Sequence, residues 1–197
     1  MPEPIQSAKQ RIKKLRNLAR QNDVDLWATD EVHFQQYGSR CRMWVPPDIK
    51  DPVVRHYPGR KSVGYFGAVR LRDGRFVYRR ESERFNAQTC WDFFKQLSRA
   101  SAGTGHRVVI IADNARYHHA NLHQDWRDAR SDRFALDFLL PYSSDLKTIV
   151  RVWKLVRRLR LHNRYFANLN EVVETVEDQF EEWRYHSDTL RRLCAII

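Results

Sequence analysis

The segment HRVVIIADN, at residues 106–114, constrains the fold of this chain more than any other part of its sequence. Five consecutive apolar residues, four of them β-branched, lead there to Asp113. A short run of this kind is typical of a strand that is buried on both faces of a parallel sheet. A second strand pattern, VDLWATDEV, carries Asp30 near its end. Because α/β sheets bind ligands beyond the carboxyl ends of their strands, the two aspartates are candidate site residues.

The remaining segments predict a mixed sheet flanked by helices, which is an α/β fold. The stretch KSVGYFGAVRLRDGRFVYRR predicts two antiparallel strands, since Asp73-Gly74 between apolar alternation is a strong hairpin signal. FALDFLLP predicts a further strand that Pro141 closes. Five other segments are predicted to be helical: SAKQRIKKLRNLARQ, NAQTCWDFFKQLSRAS, ANLHQDWRDAR, LKTIVRVWKLVRRLR and NLNEVVETVEDQFEEWRYH. We expect a basic N-terminal helix or linker over residues 1–22 and one domain over residues 23–197.

The net charge of the chain points to polyanionic partners. The sequence has 35 Lys and Arg residues against 24 Asp and Glu residues, which leaves +11. A field of this sign attracts DNA, RNA and anionic membrane surfaces, so charge alone does not choose among them. No apolar run approaches the roughly 20 residues that span a bilayer, and the N-terminus lacks the apolar stretch of a secretory signal. We therefore expect a cytoplasmic protein that does not bind a membrane.

Three blocks of sequence follow one another in an order and at a spacing that are specific. They are ATDE at residues 28–31, DNARYHHA at residues 113–120 and FLLPYSSDLKTIVRVWKLV at residues 138–156. Together they resemble the mariner-like DDE transposases, in particular their bacterial insertion-sequence branch. The resemblance implies an RNase H-like (ribonuclease H or integrase-like) fold, double-stranded DNA as the partner, and the bacterial cytosol and nucleoid as the location. The resemblance is compatible with a homodimer but does not determine the oligomeric state.

By this resemblance, Asp30 and Asp113 match the first two acidic residues of a catalytic, metal-binding triad. Such sites hold Mg²⁺ or Mn²⁺, because hard divalent cations prefer clustered carboxylate oxygens. The third acidic residue belongs at position 150, where this sequence has Val150, and valine cannot ligate a cation. Lys147-Thr148 also stands where the family pattern has Asn-Pro. The resemblance therefore implies an incomplete site, with Mg²⁺ or Mn²⁺ as the cofactor if the chain is active.

Four carboxylates are candidates to replace the third ligand: Asp145 first, and then Asp137, Glu171 and Glu174. Glu31 is expected to face away from the metal site, because neighbouring side chains on a strand point to opposite faces. Val150 also fits an apolar helical stripe with Ile149 and Trp153, which would make it a core residue.

Two polar residues beside the second aspartate leave two roles open. Asn114 and His118 match family positions, where they could orient a ligand or contact a phosphate. Hydrogen bonding at the turn from strand to helix is the other role. Trp153 is expected to be a core residue and not a platform for a base.

The helix in the third block is the best candidate for contacting DNA phosphates. Its basic residues, with one that follows the helix, are Arg151, Lys154, Arg157, Arg158, Arg160 and Arg164. An ordinary solvated face is the alternative reading of the same charges.

These observations favour a transposase-derived DNA-binding domain in which DNA cleavage and strand transfer are weak or absent. One alternative is an active Mg²⁺-dependent endonuclease and strand transferase that uses Asp30, Asp113 and an unrecognised third ligand. Another is a protein-interaction module without catalysis. Fewer than 25 residues precede the first predicted strand, so sequence-specific recognition of DNA by a helix-turn-helix module is not expected.

Overall fold

The chain folds as a mixed sheet with helices on both faces. A computed structural model describes residues 4–50, 52–55, 57–82, 84–119, 122, 124–139 and 147–196. The strands in these residues are β1 (Val24–Gln35), β2 (Ser62–Arg70), β3 (Phe76–Glu81), β4 (Arg107–Ala112) and β5 (Phe134–Phe138). They lie in the order β3-β2-β1-β4-β5, with antiparallel pairing among β1, β2 and β3 and parallel pairing among β1, β4 and β5. The predicted mixed sheet is confirmed.

The helices follow the predicted order, with one addition near the C-terminus. They are α1 (Pro4–Arg20), α2 (Ala87–Ala100), α3 (Gln124–Asp128), α4 (Ile149–Val156), α5 (Leu169–Glu182) and α6 (Asp188–Leu193). Helix α4 continues into a wider π-helical turn, Arg157–Leu161. Helix α6 was not predicted, and the segment after Asp113 forms a 3₁₀ turn, Arg116–His119, before the short α3. No helix in the described part of the chain is long and apolar enough to cross a membrane.

Each face of the sheet carries its own apolar cluster. Helices α1, α4, α5 and α6 cover one face, where Trp153 and Phe180 lie among the buried residues. Helix α2 covers the other face and buries Trp91, Phe93 and Phe94 against β1, β2 and β4. Helix α1 packs on the sheet and does not stand apart from it, because Leu15 is fully buried in the first cluster.

The predicted hairpin joins β2 to β3 through a turn that requires glycine. Gly74 has a φ of 71°, in the left-handed region that favours glycine. A Cβ at this position would also lie 2.0 Å from the carbonyl oxygen of Ser187, just before α6. The turn is therefore tied to the C-terminal helix, and both the backbone angle and the close approach exclude a larger residue.

The register of β1 and β4 positions the two candidate aspartates. The last paired residues of these parallel strands are Ala28 and Ile111. Asp30 and Asp113 each follow that pair by two residues, so they come to the same level and the same face of the sheet. Strand β4 ends at Ala112, whereas β1 continues beside β2 as far as Gln35. The flank of β1 is therefore free of β4 at the level of Asp30.

Candidate active site

Three carboxylates meet where β4 ends beside β1. One carboxylate oxygen from each of Asp30, Glu31 and Asp113 lies within 4.8 Å of the other two. Asp113 reaches this point from the end of β4, whereas Asp30 reaches it from within β1, two residues beyond the last pair of β1 with β4. A cluster of this kind has the oxygen donors that a divalent cation prefers.

The expectation that Glu31 faces away from this cluster is wrong. Alternation along β1 does direct its side chain toward the face covered by α2. Alternation does not fix where the end of a long side chain lies, and β4 no longer pairs with β1 at position 31. The long side chain of Glu31 can therefore turn into the space beyond β4 and approach Asp113.

Lys147 places its ammonium group between the two aspartates. Its Nζ lies 3.1 Å from Oδ1 of Asp30 and 2.6 Å from Oδ2 of Asp113. Burial tends to lower the pKa of Lys147, but its bonds to the two carboxylates outweigh burial and raise it. The lysine is therefore a fixed positive charge in the cluster. The sequence carried one signal of this contact, which was the replacement of the family's Asn-Pro by Lys147-Thr148.

The ring of His118 connects Asp113 to Glu31. Its Nδ1 lies 3.0 Å from Oδ1 of Asp113, and its Nε2 lies 3.3 Å from Oε1 of Glu31. Burial alone would lower the pKa of His118, but hydrogen bonds, first of all to Asp113, raise it to about 12. The ring is therefore an imidazolium with an anion at each nitrogen. It also bonds the main-chain oxygen of Asp113 at 2.9 Å, so it orders the turn after β4 as well.

The two aspartates differ in how their surroundings affect ionisation. Burial raises the pKa of Asp30, and the charge of Lys147 only partly opposes that effect. The bond from His118, together with Lys147, holds the pKa of Asp113 well below its usual range. Asp113 is therefore the firmly ionised member of the pair, with two cations in contact.

Trp153 supports Asp30 from helix α4. The indole is almost fully buried in the core, as expected, and its Nε1 donates to Oδ2 of Asp30 at 3.3 Å. Its ring packs over Gly67, which lies opposite Asp30 in the pairing of β1 with β2. A Cβ at Gly67 would be 2.2 Å from the ring. The missing side chain at position 67 therefore allows the indole to reach the carboxylate.

Val150 is not part of the apolar core beneath α4. It is half-buried and does not join the apolar residues beneath α4, whereas Ile149 and Val152 are fully buried there. The interpretation of Val150 as an extension of the core is therefore wrong. Residues three apart lie on one side of a helix, so Val150 shares a side of α4 with Trp153, which contacts Asp30. An acidic residue at this position would be directed to the same place.

None of the candidate replacement ligands in the described part of the chain joins the cluster. Asp145 lies outside the described residues. Asp137 pairs with Arg11 and Lys14 of α1, and Glu171 binds the amide of Ala167 at the start of α5. Glu174 is exposed on α5. The described third carboxylate is instead Glu31.

The residues present do not fit a divalent cation as they are arranged. The family resemblance implies Mg²⁺ or Mn²⁺ between Asp30 and Asp113, but the ammonium of Lys147 already bonds both carboxylates. Chemically, the arrangement can neutralise and orient its carboxylates without a metal.

The basic residues proposed to contact DNA are mostly engaged within the chain. Arg151 donates to the carbonyl oxygen of Leu193, and Arg160 pairs with Glu182. Arg157 is half-buried over Phe34, and Arg164 donates to the carbonyl of Arg160. Lys154 and Arg158 remain exposed. The continuous basic face expected from the sequence is therefore reduced, because main-chain carbonyls and the side chains of Phe34 and Glu182 contact four of its six cations.

Exposed cations are also found in the segment between β1 and β2, which was not predicted to contact DNA. They are Arg40, Arg42, Lys50, Arg55, Arg60 and Lys61. Trp44 lies among them and is fully exposed. The composition of the loop was the available signal.

A sequence family described as "DDE superfamily endonuclease" matches residues 25–173 of the chain. This match covers both aspartates, Lys147 and Val150. The chain belongs to this family. No curated protein sequence matches it.

Solved structures of a mariner transposase share the fold of this DDE endonuclease family member. The Mos1 transposase paired-end complex with left transposon end is 15% identical with a TM-score of 0.68, and the match covers 96% of this chain and 56% of that chain. The Mos1 mariner paired end complex with Mn is 16% identical with a TM-score of 0.66, over 96% and 57% of the two chains. The Mos1 transposase catalytic domain with Raltegravir and Mg is 14% identical with a TM-score of 0.60, over 98% and 92%.

These matches establish the predicted RNase H-like fold. The DDE family member spans little more than half of the transposase chains in the paired-end complexes, whereas it spans nearly all of the separate catalytic domain. It therefore corresponds in fold to the catalytic domain of a transposase.

Proposed function

We propose that this chain is a duplex-DNA-binding domain that keeps the transposase catalytic fold and has weak or no activity in DNA cleavage and strand transfer. The observation that carries the proposal is the position of Val150. It lies three residues before Trp153 on α4, and Trp153 donates to Asp30, so we infer that position 150 is on the side of the helix toward that aspartate. A two-metal mechanism needs carboxylates to bind the ions that hold the attacking and leaving oxygens, and valine has no ligand to offer.

DNA binding is supported by the net charge of +11 and by the exposed cations of α4 and of the segment between β1 and β2. Contacts of this kind act on phosphates, so they give affinity without reading base sequence. One of the structures that share this fold is a Mos1 transposase paired-end complex with a transposon end, which makes duplex DNA the appropriate polyanion to test first.

The experiment combines a binding assay with a cleavage assay. Anisotropy of a labelled duplex should show micromolar or tighter binding that weakens steeply with salt and varies little with sequence. Incubation of supercoiled plasmid with Mg²⁺ or Mn²⁺ should give no nicking above that of the Asp113→Asn variant. Absence of duplex binding at low salt would contradict the first part, and nicking that Asp113→Asn abolishes would contradict the second.

An active Mg²⁺- or Mn²⁺-dependent endonuclease is the second candidate, and the position of Glu31 favours it. Its carboxylate oxygen lies within 4.8 Å of those of Asp30 and Asp113, so three acidic groups are present without position 150. If this candidate is right, nicking should be lost in Glu31→Gln as well as in Asp113→Asn. The same plasmid assay therefore decides between the two functions.

A further inference from the structure

We propose that Lys147 serves as a built-in cation that takes the place of a divalent metal between Asp30 and Asp113, so that this site excludes Mg²⁺ and Mn²⁺. The inference rests on the proposed function, because a site that holds its own cation has no need of metal for folding or DNA binding. It concerns the cation bound by the cluster, which can be measured separately from cleavage.

The hydrogen bonds of the two aspartates leave no oxygen without a protein donor. In Asp30, Oδ1 accepts from Lys147 at 3.1 Å and Oδ2 accepts from Trp153 at 3.3 Å. In Asp113, Oδ2 accepts from Lys147 at 2.6 Å and Oδ1 accepts from the amide of Ala115 at 3.0 Å. A metal that bridged the two aspartates would therefore have to displace Lys147, which bonds one oxygen of each.

The lysine and a metal would also compete for the same space. Mg²⁺ lies about 2.0–2.1 Å from its oxygen ligands, so a cation shared by both carboxylates would stand between them. The ammonium of Lys147 already stands there, in contact with one oxygen of each. A divalent cation and the Lys147 ammonium in contact with the same carboxylates would repel each other strongly in this partly buried site, so one of them must leave.

The cluster already has protein cationic or donor groups on its carboxylates without a metal. Lys147 contacts Asp30 and Asp113, and the ring of His118 contacts Asp113 and Glu31. A divalent cation would therefore have to enter beside the ammonium of Lys147 or replace it. A hydrated Mg²⁺ would also have to lose water, which it does reluctantly.

The test measures Mn²⁺ binding to the whole chain by calorimetry and by electron paramagnetic resonance. The unchanged protein should show no saturable site in the low millimolar range. Lys147→Asn, which restores the residue of the family pattern, should bind Mn²⁺ at least about tenfold more tightly, because charges in contact couple by that factor or more. Adding Asp113→Asn should abolish the gain.

A matched control is Lys95→Asn. The side chain of Lys95 is 23% exposed, like that of Lys147, but it pairs with Asp92 of α2 and not with the cluster. Its substitution should leave Mn²⁺ binding unchanged. Equal Mn²⁺ affinity in the unchanged protein and in Lys147→Asn would overturn the inference.

A second measurement does not depend on whether the variant folds. In the unchanged protein, the ¹⁵N resonance of the Lys147 ammonium should stay in place when millimolar Mg²⁺ is added, and its loss or shift would contradict the inference. The two proposals remain distinguishable. A protein that takes up Mn²⁺ equally with either residue at position 147 but nicks no plasmid refutes this inference and leaves the proposed function standing.

Discussion

Replacing Asp113 by asparagine should destabilise the protein in metal-free buffer. From the sequence, two uncompensated carboxylates would repel, and removing one charge would be neutral or stabilising. In the structure, Asp113 instead contacts the ammonium of Lys147 at 2.6 Å and the ring of His118 at 3.0 Å. Asp113→Asn therefore removes the anion from two cations, which reverses the expected sign.

The size of the effect follows from burial. Breaking a buried ion pair by removing one partner costs about 3–5 kcal/mol. The side chains of Asp113 and Lys147 are 28% and 23% exposed, so solvent screens part of their interaction, and His118 can release its proton. We expect a loss of about 2–3 kcal/mol in the free energy of unfolding, which is a fall of roughly 4–12 °C in Tm for a domain of this size.

The pH dependence provides an internal check on that estimate. The pKa of Asp113 is lowered by folding, so its contribution is present above the unfolded value of about 3.9 and is lost as pH falls further. The pKa of His118 is raised to about 12, so its contribution is complete below the unfolded value of about 6.5 and declines as pH rises. The stability gap between the two proteins should therefore be widest between about pH 4 and 6.5.

Thermal unfolding followed by circular dichroism, with chelator present, measures the gap. Asp132→Asn is the control, because Asp132 is 73% exposed and pairs only loosely with Arg133. An Asp113→Asn protein as stable as the parent at pH 6, or more stable, would refute the reasoning that Lys147 and His118 neutralise the cluster.

Two further results are expected. The double variant Lys147→Asn/Val150→Glu should gain about 2.7 kcal/mol in the free energy of unfolding when Mn²⁺ is present at 100 times its Kd, which is roughly 5–11 °C in Tm. Val150→Glu alone should gain much less, because its new carboxylate pairs with Lys147. Thermal shift with and without Mn²⁺ measures both, and no gain in the double variant would mean that position 150 does not face the cluster. The pair Lys154→Ala/Arg158→Ala should reduce the log-log salt slope of duplex binding by up to about 2, measured by anisotropy against the unchanged protein, whereas an unchanged slope would remove this face of α4 from the DNA-binding surface.

The parts of this structure that sequence predicted are those with a local signal. The apolar run before Asp113, the Asp-Gly turn at residue 74 and the periodicity of α2 and α5 each determine an element from neighbouring residues. The parallel pairing of β1 with β4 then places Asp30 and Asp113 close together, and this could be predicted without knowing any side-chain contact.

The cluster itself depends on contacts between distant residues. Lys147 is 117 residues from Asp30 and 34 from Asp113, and no periodicity along the chain links such positions. Glu31 was misplaced because strand alternation does not report where the neighbouring strand ends. The sequence also does not show that Arg151 and Arg160 are bound within the chain, because the groups that bind them come from α5 and from the residues around α6.

The contact between Gly67 and Trp153 makes two distant positions a single unit of evolutionary variation. A methyl group at position 67 would overlap the indole ring, and the displaced indole could no longer donate to Asp30. The side chain that position 67 can accept therefore depends on the size of the residue at position 153. Substitutions at these two positions should be correlated among relatives. Selection on the orientation of an acidic side chain would then leave its trace at a strand position that has no side chain at all.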